Sequence, residues 1–207
     1  MSNLVRLIPS QTIFFLCDIQ SRFKDAIHAF PEVVAISNKM LKFAKVFGIP
    51  VIVTEQHPKG LGNTTPEIDL KSLGSLHLAT VEKTVFSMLT PEVKVLLDSR
   101  KDVRSIVLFG VESHICVLQS ALDLLQAGYN VHVLADGVSS CNKEEVPIAL
   151  SRISQAGGHI TTSESAAFQL QRDASTSTFK AFSNIIKEEK GATIQALEKL
   201  ASYRSNL

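Results

Sequence analysis

Neither charge dominates this sequence: 21 Lys and Arg face 20 Asp and Glu, for a formal net charge of +1. With no basic excess to release counterions from a phosphate backbone, no nucleic-acid partner is predicted. No apolar run approaches the ~20 residues that a bilayer-spanning helix needs, so no membrane partner is predicted either. Tryptophan is absent and aromatics make up 6%, beside 45% apolar and 20% charged residues, ordinary proportions for a soluble globular chain. The three cysteines, Cys17, Cys116 and Cys141, include no CxxC pair. The opening MSNLVRLIPS has no secretory h-region. Free thiols in a reducing, cytoplasmic compartment are therefore expected. Arg6 alone is a thin basis for an organelle import signal, and mitochondrial association is left open. No GxGxxG or GxxxxGK follows any apolar run, which disfavours a nucleotide-binding domain.

What is present is a chain of 207 residues, a length that fits one domain, residues 1–207, better than two. Apolar runs rich in β-branched residues alternate with stretches of helical period. Thr12 to Cys17, Pro50 to Thr54, Ser105 to Phe109 and Val131 to Leu134 read as buried strands. His77 to Val81 and the short His159 to Thr162 read as two more. Between them, Glu32 to Phe47, Ile115 to Gln126 and Glu144 to Ala156 carry helical spacing. Gly48 and Pro50 stop the first helix, and Thr90-Pro91-Glu92 opens another with a cap and a first-turn proline. Strands apolar throughout are covered on both faces, so the fold class predicted is α/β: a doubly wound parallel sheet of five or six strands between helices. Gln56 to Ser75, with Pro58, Gly60, Gly62, Pro66 and Gly74, has no period and is expected to be a functional loop or lid. The tail, about 176–207, is expected to be helical and amphipathic, packing on the domain or on a second subunit.

In open α/β sheets ligands bind beyond the carboxyl ends of the strands. The residues there are Asp18-Ile19-Gln20, Glu55-Gln56-His57, Glu82-Lys83, Gly110 to Cys116, and Asp136-Gly137. Cys116 falls about one turn into a helix, where the macrodipole favours a thiolate. A lysine such as Lys83 would favour it further, and Asp18 could shuttle the proton as general base and then general acid. Backbone N–H groups between Glu112 and Cys116 could hold an oxyanion. Each residue also has a plainer reading. A lone cysteine in a buried helix is a small hydrophobe, a strand-end aspartate a turn residue, and a lysine after an apolar run a solvated edge.

The segments FFLCDIQSRF, VIVTEQHPKGLG, VEKTVFSM and VLFGVESHICVLQSALDLLQAGYNVHVLADGVSS together resemble the isochorismatase-like hydrolases, nearest the isochorismatase domain-containing proteins, from about Thr12 to about Leu170. The resemblance implies a six-stranded parallel sheet and, for members with the full triad, mostly amidase chemistry. It implies Cys116 as nucleophile, Asp18 as acid/base and Lys83 as the cation beside them. It also implies a cis Val111–Glu112 peptide that aims the Glu112 and Cys116 N–H groups at one oxyanion. Gln20, Phe23, Phe86 and His114 would be pocket or support residues. A small-molecule substrate, no cofactor and a homo-oligomer, dimer or larger, come with it. True isochorismatases cleave an enol ether without a cysteine nucleophile, so the family name is a poor guide to the substrate. Nicotinamidases carry a metal-binding Asp-x-His and a further His. Glu55-Gln56-His57 stands at the first position and His77 is a candidate for the second. A Glu-x-His pair falls short of three protein ligands. No required metal is expected, nicotinamide is disfavoured, and a part for Glu55 and His57 in a metal site is left open.

The function expected is a thiol-dependent hydrolase of a small amide or related C–N bond. The alternative from another class is a catalytically silent or moonlighting protein of this fold that acts through assembly or partner binding. A phosphoryl-accepting Asp18 is disfavoured. Haloacid-dehalogenase-type phosphatases carry a second aspartate where Gln20 stands, and receiver domains an acidic pair where Cys17 precedes Asp18.

Overall fold

The computed structural model describes residues 5–202. Its strands are Thr12–Cys17 (β1), Val51–Gln56 (β2), His77–Lys83 (β3), Ser105–Val111 (β4), Asn130–Ser139 (β5) and His159–Thr161 (β6). They form one parallel sheet in the order β3-β2-β1-β4-β5-β6. The helices are Phe30–Phe47 (α1), Pro58–Leu61 (α2), Pro91–Asp98 (α3), Leu118–Gln126 (α4), Glu145–Gln155 (α5), Ser163–Gln171 (α6), Phe179–Glu188 (α7) and Lys190–Ala196 (α8). This is the doubly wound, six-stranded architecture expected from the sequence.

The unbroken apolar runs divide residue by residue between two cores. From β1, Phe14 and Leu16 join α1, α6, α7 and α8 on one face, while Ile13, Phe15 and Cys17 join α3, α4 and α5 on the other. From β4, Val107 and Phe109 go to the first core and Ile106 and Leu108 to the second. Every position of β1 is buried, because a strand in the middle of a two-sided sheet has no solvent face.

Several boundaries follow the punctuation in the sequence. Gly48 caps α1 at φ 66° with its N–H on the Ala44 carbonyl, the left-handed geometry glycine adopts without a Cβ penalty. Thr90 Oγ1 accepts from the Val93 N–H at 3.2 Å and opens α3, with Pro91 following it. Others differ from expectation. β5 runs on to Ser139, well past Leu134, and its pairing with β4 is irregular between Leu108 and Gly110. Asp136 therefore lies inside a strand and not at the cleft. It accepts from the Ser163 N–H at 2.7 Å and hydroxyl at 2.6 Å and anchors the start of α6. The helix after β4 begins earlier than expected, as a π-helical turn over Ser113–Val117 that runs into α4. The segment expected to be a loop contains α2 and a 3-10 stretch, Lys71–Leu76, and an antiparallel bridge from Gln20 to Thr64 fastens it to the end of β1.

The tail packs on its own chain. Phe182, Ile185, Ala196 and Leu200 are buried in the core they share with α1, where the Phe43 and Phe182 rings meet at a tilt with centroids 5.5 Å apart. Under this contact lies Lys39, 1% exposed, whose ammonium donates to Thr193 Oγ1 at 2.7 Å and Ser163 Oγ at 3.2 Å. Burial lowers its pKa, opposed by the Asp136, Glu164 and Glu189 carboxylates. The opening residues 1–4 and the end of the tail, 203–207, lie outside the described residues, so the reading of MSNLVRLIPS falls partly there. No helix among the described residues is long and apolar enough to cross a membrane.

Candidate active site

The strand order reverses between β1 and β4. Chain leaving β1 winds outward through β2 and β3, and chain leaving β4 winds outward through β5 and β6. A crevice opens at the carboxyl ends of two such strands. The sequence places Asp18 at one lip and Glu112 to Cys116 at the other. At the seam the two backbones nearly touch. Gly110 has φ +123°, and a Cβ there would meet the Cys17 carbonyl oxygen at 2.1 Å. Only glycine fits a position that combines that dihedral with that contact.

Asp18 follows β1 in the left-handed region, φ 49°, one that aspartate visits more readily than most residues. Its side chain is 1% exposed. Oδ1 accepts from the Thr54 hydroxyl at 2.7 Å, and Oδ2 accepts from Lys83 Nζ at 2.7 Å and from the Cys17 thiol at 3.6 Å. Lys83 ends β3, where the register sets it beside Gln56 of β2. Its side chain is fully buried, so the plain reading of a solvated edge lysine does not apply. Its ammonium reaches Gln56 Oε1 at 2.6 Å, the Phe86 carbonyl at 2.9 Å, the Val85 carbonyl at 3.3 Å and Cys116 Sγ at 3.6 Å. Burial works against that charge. The negative charge that Cys17, Asp18 and Cys116 can carry, with the Asp18 hydrogen bond, outweighs it and raises the Lys83 pKa. Lys83 thus stays an ammonium, held between a carboxylate and a thiol.

Cys116 lies in the π-helical turn, 6% exposed. Its carbonyl accepts from the Ser120 hydroxyl at 2.5 Å, and Ser120 Oγ accepts in turn from the Met88 N–H at 2.7 Å. This chain of bonds joins the turn to the segment after Lys83. The Val111–Glu112 peptide just ahead is cis. Glu112 Oε2 accepts from the Cys141 N–H at 2.8 Å. Cys17, the second thiol beside Asp18, is buried. Burial first, then its contact with Cys116 and the Asp18 charge, raises its pKa well above the ordinary thiol value.

The remaining residues singled out in the sequence have distinct placements. Gln20 is buried, and its amide is committed to scaffolding: Oε1 accepts from the Gln56 N–H at 2.7 Å, and Nε2 donates to the Gln56 and Gly62 carbonyls at 2.9 and 2.5 Å. Phe23 is half-buried against the first core. The Phe86 ring is 48% exposed beside the lysine that its carbonyl holds. His114 Nδ1 lies 2.9 Å from Ser140 Oγ. Glu55 directs both oxygens into the loop, toward Asn63 Nδ2 at 3.0 Å and the Thr64 N–H and hydroxyl at 2.6 and 2.7 Å. His57 opens α2 at φ 39°. His77 bonds Thr80 Oγ1 at 2.9 Å at the opposite end of β3 from Lys83. Sequence reasoning missed Thr54, which orients Asp18 and reads as an ordinary strand position until the register is known. Gln56 stood among the strand-end residues, but its bond to Lys83 was not foreseen.

A doubly wound sheet whose switch point gathers an aspartate, a lysine and a cysteine has the build of a hydrolase fold. Residues 12–165 match the Isochorismatase domain model, and the chain belongs to that family. It is 49% identical over 191 residues to isochorismatase domain-containing protein 2 of Xenopus laevis, covering 91% of each chain. It is 46% identical over 184 residues to isochorismatase domain-containing protein 1 of Salmo salar, over 89% of this chain. It spans 64% of that salmon relative's length. Among solved structures, the MAR1 ribonuclease of Caenorhabditis elegans superposes with a TM-score of 0.80 at 37% identity, covering 88% of this chain and 93% of the other.

Proposed function

We propose that the protein hydrolyses a small amide or related C–N bond through Cys116. The observation that carries this reading is the buried Lys83 ammonium, 2.7 Å from Asp18 Oδ2 and 3.6 Å from Cys116 Sγ. It is a fixed positive charge that stabilises a thiolate and orients a carboxylate beside it. Asp18 takes the Cys116 proton as sulfur attacks the carbonyl carbon, and a C–S bond forms. The oxygen becomes an oxyanion, accepted by the Glu112 and Cys116 N–H groups. As the C–N bond breaks, Asp18 returns the proton to the departing nitrogen. Water, deprotonated by the same carboxylate, then cleaves the thioester, releasing the acid and restoring the thiol. Asp18 carries out both transfers without relocating because Thr54 and Lys83 hold one oxygen each. The exposed apolar Ile194 and Leu197 on the tail support a homo-oligomer as part of this proposal.

Alkylation by iodoacetamide tests the reading, because exposure and activation make opposite forecasts. Cys141 is exposed and Cys116 buried, so exposure alone makes Cys141 react first. An activated nucleophile makes Cys116 react first, and Lys83→Met removes the preference. Amide substrates then leave an acyl mass on the Cys116 peptide, absent in Cys116→Ser. Cys141 reacting first in the wild type overturns the proposal. So does RNA cleavage, the activity in the name of the nematode protein, if it survives Cys116→Ser while no amide is turned over.

A further inference from the structure

A second cluster of reactive side chains lies on the outer lip of the crevice, built from two segments that the sequence does not connect. Glu112 and His114 come from the turn after β4, and Cys141 from the chain just beyond β5. One donor atom from each of the three lies within 4.8 Å of the others. None has a part in the amide chemistry through its side chain. Glu112 and His114 are half-buried and Cys141 is exposed.

We infer that Glu112, His114 and Cys141 form a zinc site that joins the turn carrying Cys116 to the chain after β5. The donor set selects the metal. A thiolate, an imidazole and a carboxylate are the ligands zinc accepts together, whereas calcium and magnesium require oxygens almost throughout. Tetrahedral bonds of roughly 2.0–2.3 Å place donors about 3.3–3.7 Å apart, so a triangle no wider than 4.8 Å closes by side-chain rotation with the backbone in place. The outer contacts suit that geometry. Glu112 Oε2 holds the Cys141 N–H at 2.8 Å, and the carboxylate also bonds the Cys141 thiol, whose proton a bound ion would displace. His114 Nδ1 lies 2.9 Å from Ser140 Oγ, a contact of the kind that orients a ligating imidazole from the second sphere when the metal takes the other ring nitrogen. Three protein ligands leave the fourth position to water. The bound ion adds a coordinate tie to the Glu112–Cys141 and His114–Ser140 hydrogen bonds, and stiffens the turn from which the nucleophile projects.

Cobalt(II) titration of the full chain tests this, because a thiolate ligand gives a sulfur-to-cobalt charge-transfer band without reference to catalysis. One cobalt per chain is expected, with the band present in wild type and in Cys116→Ser. It is expected to be absent in Cys141→Ser and at least about tenfold weaker in affinity in Glu112→Gln and His114→Gln. Zinc is expected to displace the cobalt at one equivalent and to shield Cys141 from alkylation. No band at excess cobalt overturns the site. A band that vanishes in Cys116→Ser but survives in Cys141→Ser overturns it too, by assigning the metal to the crevice thiol. Neither result touches the amidase reading once alkylation order is read on metal-free protein, where Cys141 has no ion to shield it, and acyl transfer is read at Cys116.

Discussion

Acid should destabilise this protein through His132. The side chain lies on β5, 3% exposed, stacked on His159 of β6 with ring centroids 4.8 Å apart, and its Nε2 has no hydrogen-bond partner. Burial first, and the neighbouring His159 second, lower its pKa to about 4. In the unfolded chain an ordinary histidine titrates near 6.5. Below that value the unfolded state binds a proton that the folded state refuses, so stability is full above about pH 6.5 and falls as pH drops toward about 4. Each unit of that window costs about 1.4 kcal/mol, so between about pH 7.5 and pH 4.5 the loss is roughly 2.5 kcal/mol. For a chain of this size that is a fall of roughly 5–10 °C in Tm. Asp136 opposes it, since burial raises its pKa and acid then favours the folded state. The assay is therefore a difference: urea unfolding of wild type and His132→Leu at both pH values, so that all other groups cancel. The wild type is expected to lose roughly 2.5 kcal/mol more than the variant. Equal losses in the two proteins would refute the assignment of the acid sensitivity to His132.

Three further outcomes follow from the same structure. Lys83→Met leaves the buried Asp18 carboxylate without its cation and is expected to cost about 3–5 kcal/mol in urea unfolding. Adding Asp18→Asn should recover most of that stability without restoring amide turnover, and a double variant no more stable than the single would count against the ion pair. Gly110→Ala forces a methyl onto the Cys17 carbonyl and is expected to cost about 3 kcal/mol or more. Gly128→Ala, at φ +90° with open space around it, should cost only roughly 1–2 kcal/mol, and equal effects would show that the contact is unimportant. Phe182→Ala empties the joint between tail and α1 and is expected to cost about 3–5 kcal/mol. Limited proteolysis should then cut first between α6 and α7, and unchanged cleavage would mean that the tail is held elsewhere.

How far the sequence carried the fold can be traced through particular residues. Thr12 to Cys17 announces a central strand because burial on both faces leaves no polar position, and Gly48 and Thr90 mark helix ends through chemistry that acts within a few residues. Asp136 was misplaced because a strand that passes an irregularity keeps its pairing beyond its apolar run, and nothing local to Ala135-Asp136-Gly137 tells of the Ser163 amide that it caps. Asp18, Lys83 and Cys116 could be nominated separately, as polar groups at strand ends. Their convergence is a property of strand order, which periodicity does not encode. The roles of their partners, Thr54 and Gln56, depend on β1–β2 and β2–β3 register, which no local signal gives. The Glu112–His114–Cys141 cluster is further from reach still, since its members belong to two segments that meet only across the β4–β5 pairing.

The contact at Gly110 also bears on how such a protein can be altered. Side chains around a crevice can be exchanged one at a time while the frame stays fixed. The spacing between the aspartate-bearing lip and the cysteine-bearing lip is of another kind. It is set by main chain against main chain, with the single hydrogen of a glycine where a Cβ would lie 2.1 Å from a carbonyl oxygen. No neighbouring side-chain truncation makes room there, because the obstacle is backbone. The rim of the crevice is thus open to redesign side chain by side chain, whereas the gap between its two lips is inherited whole.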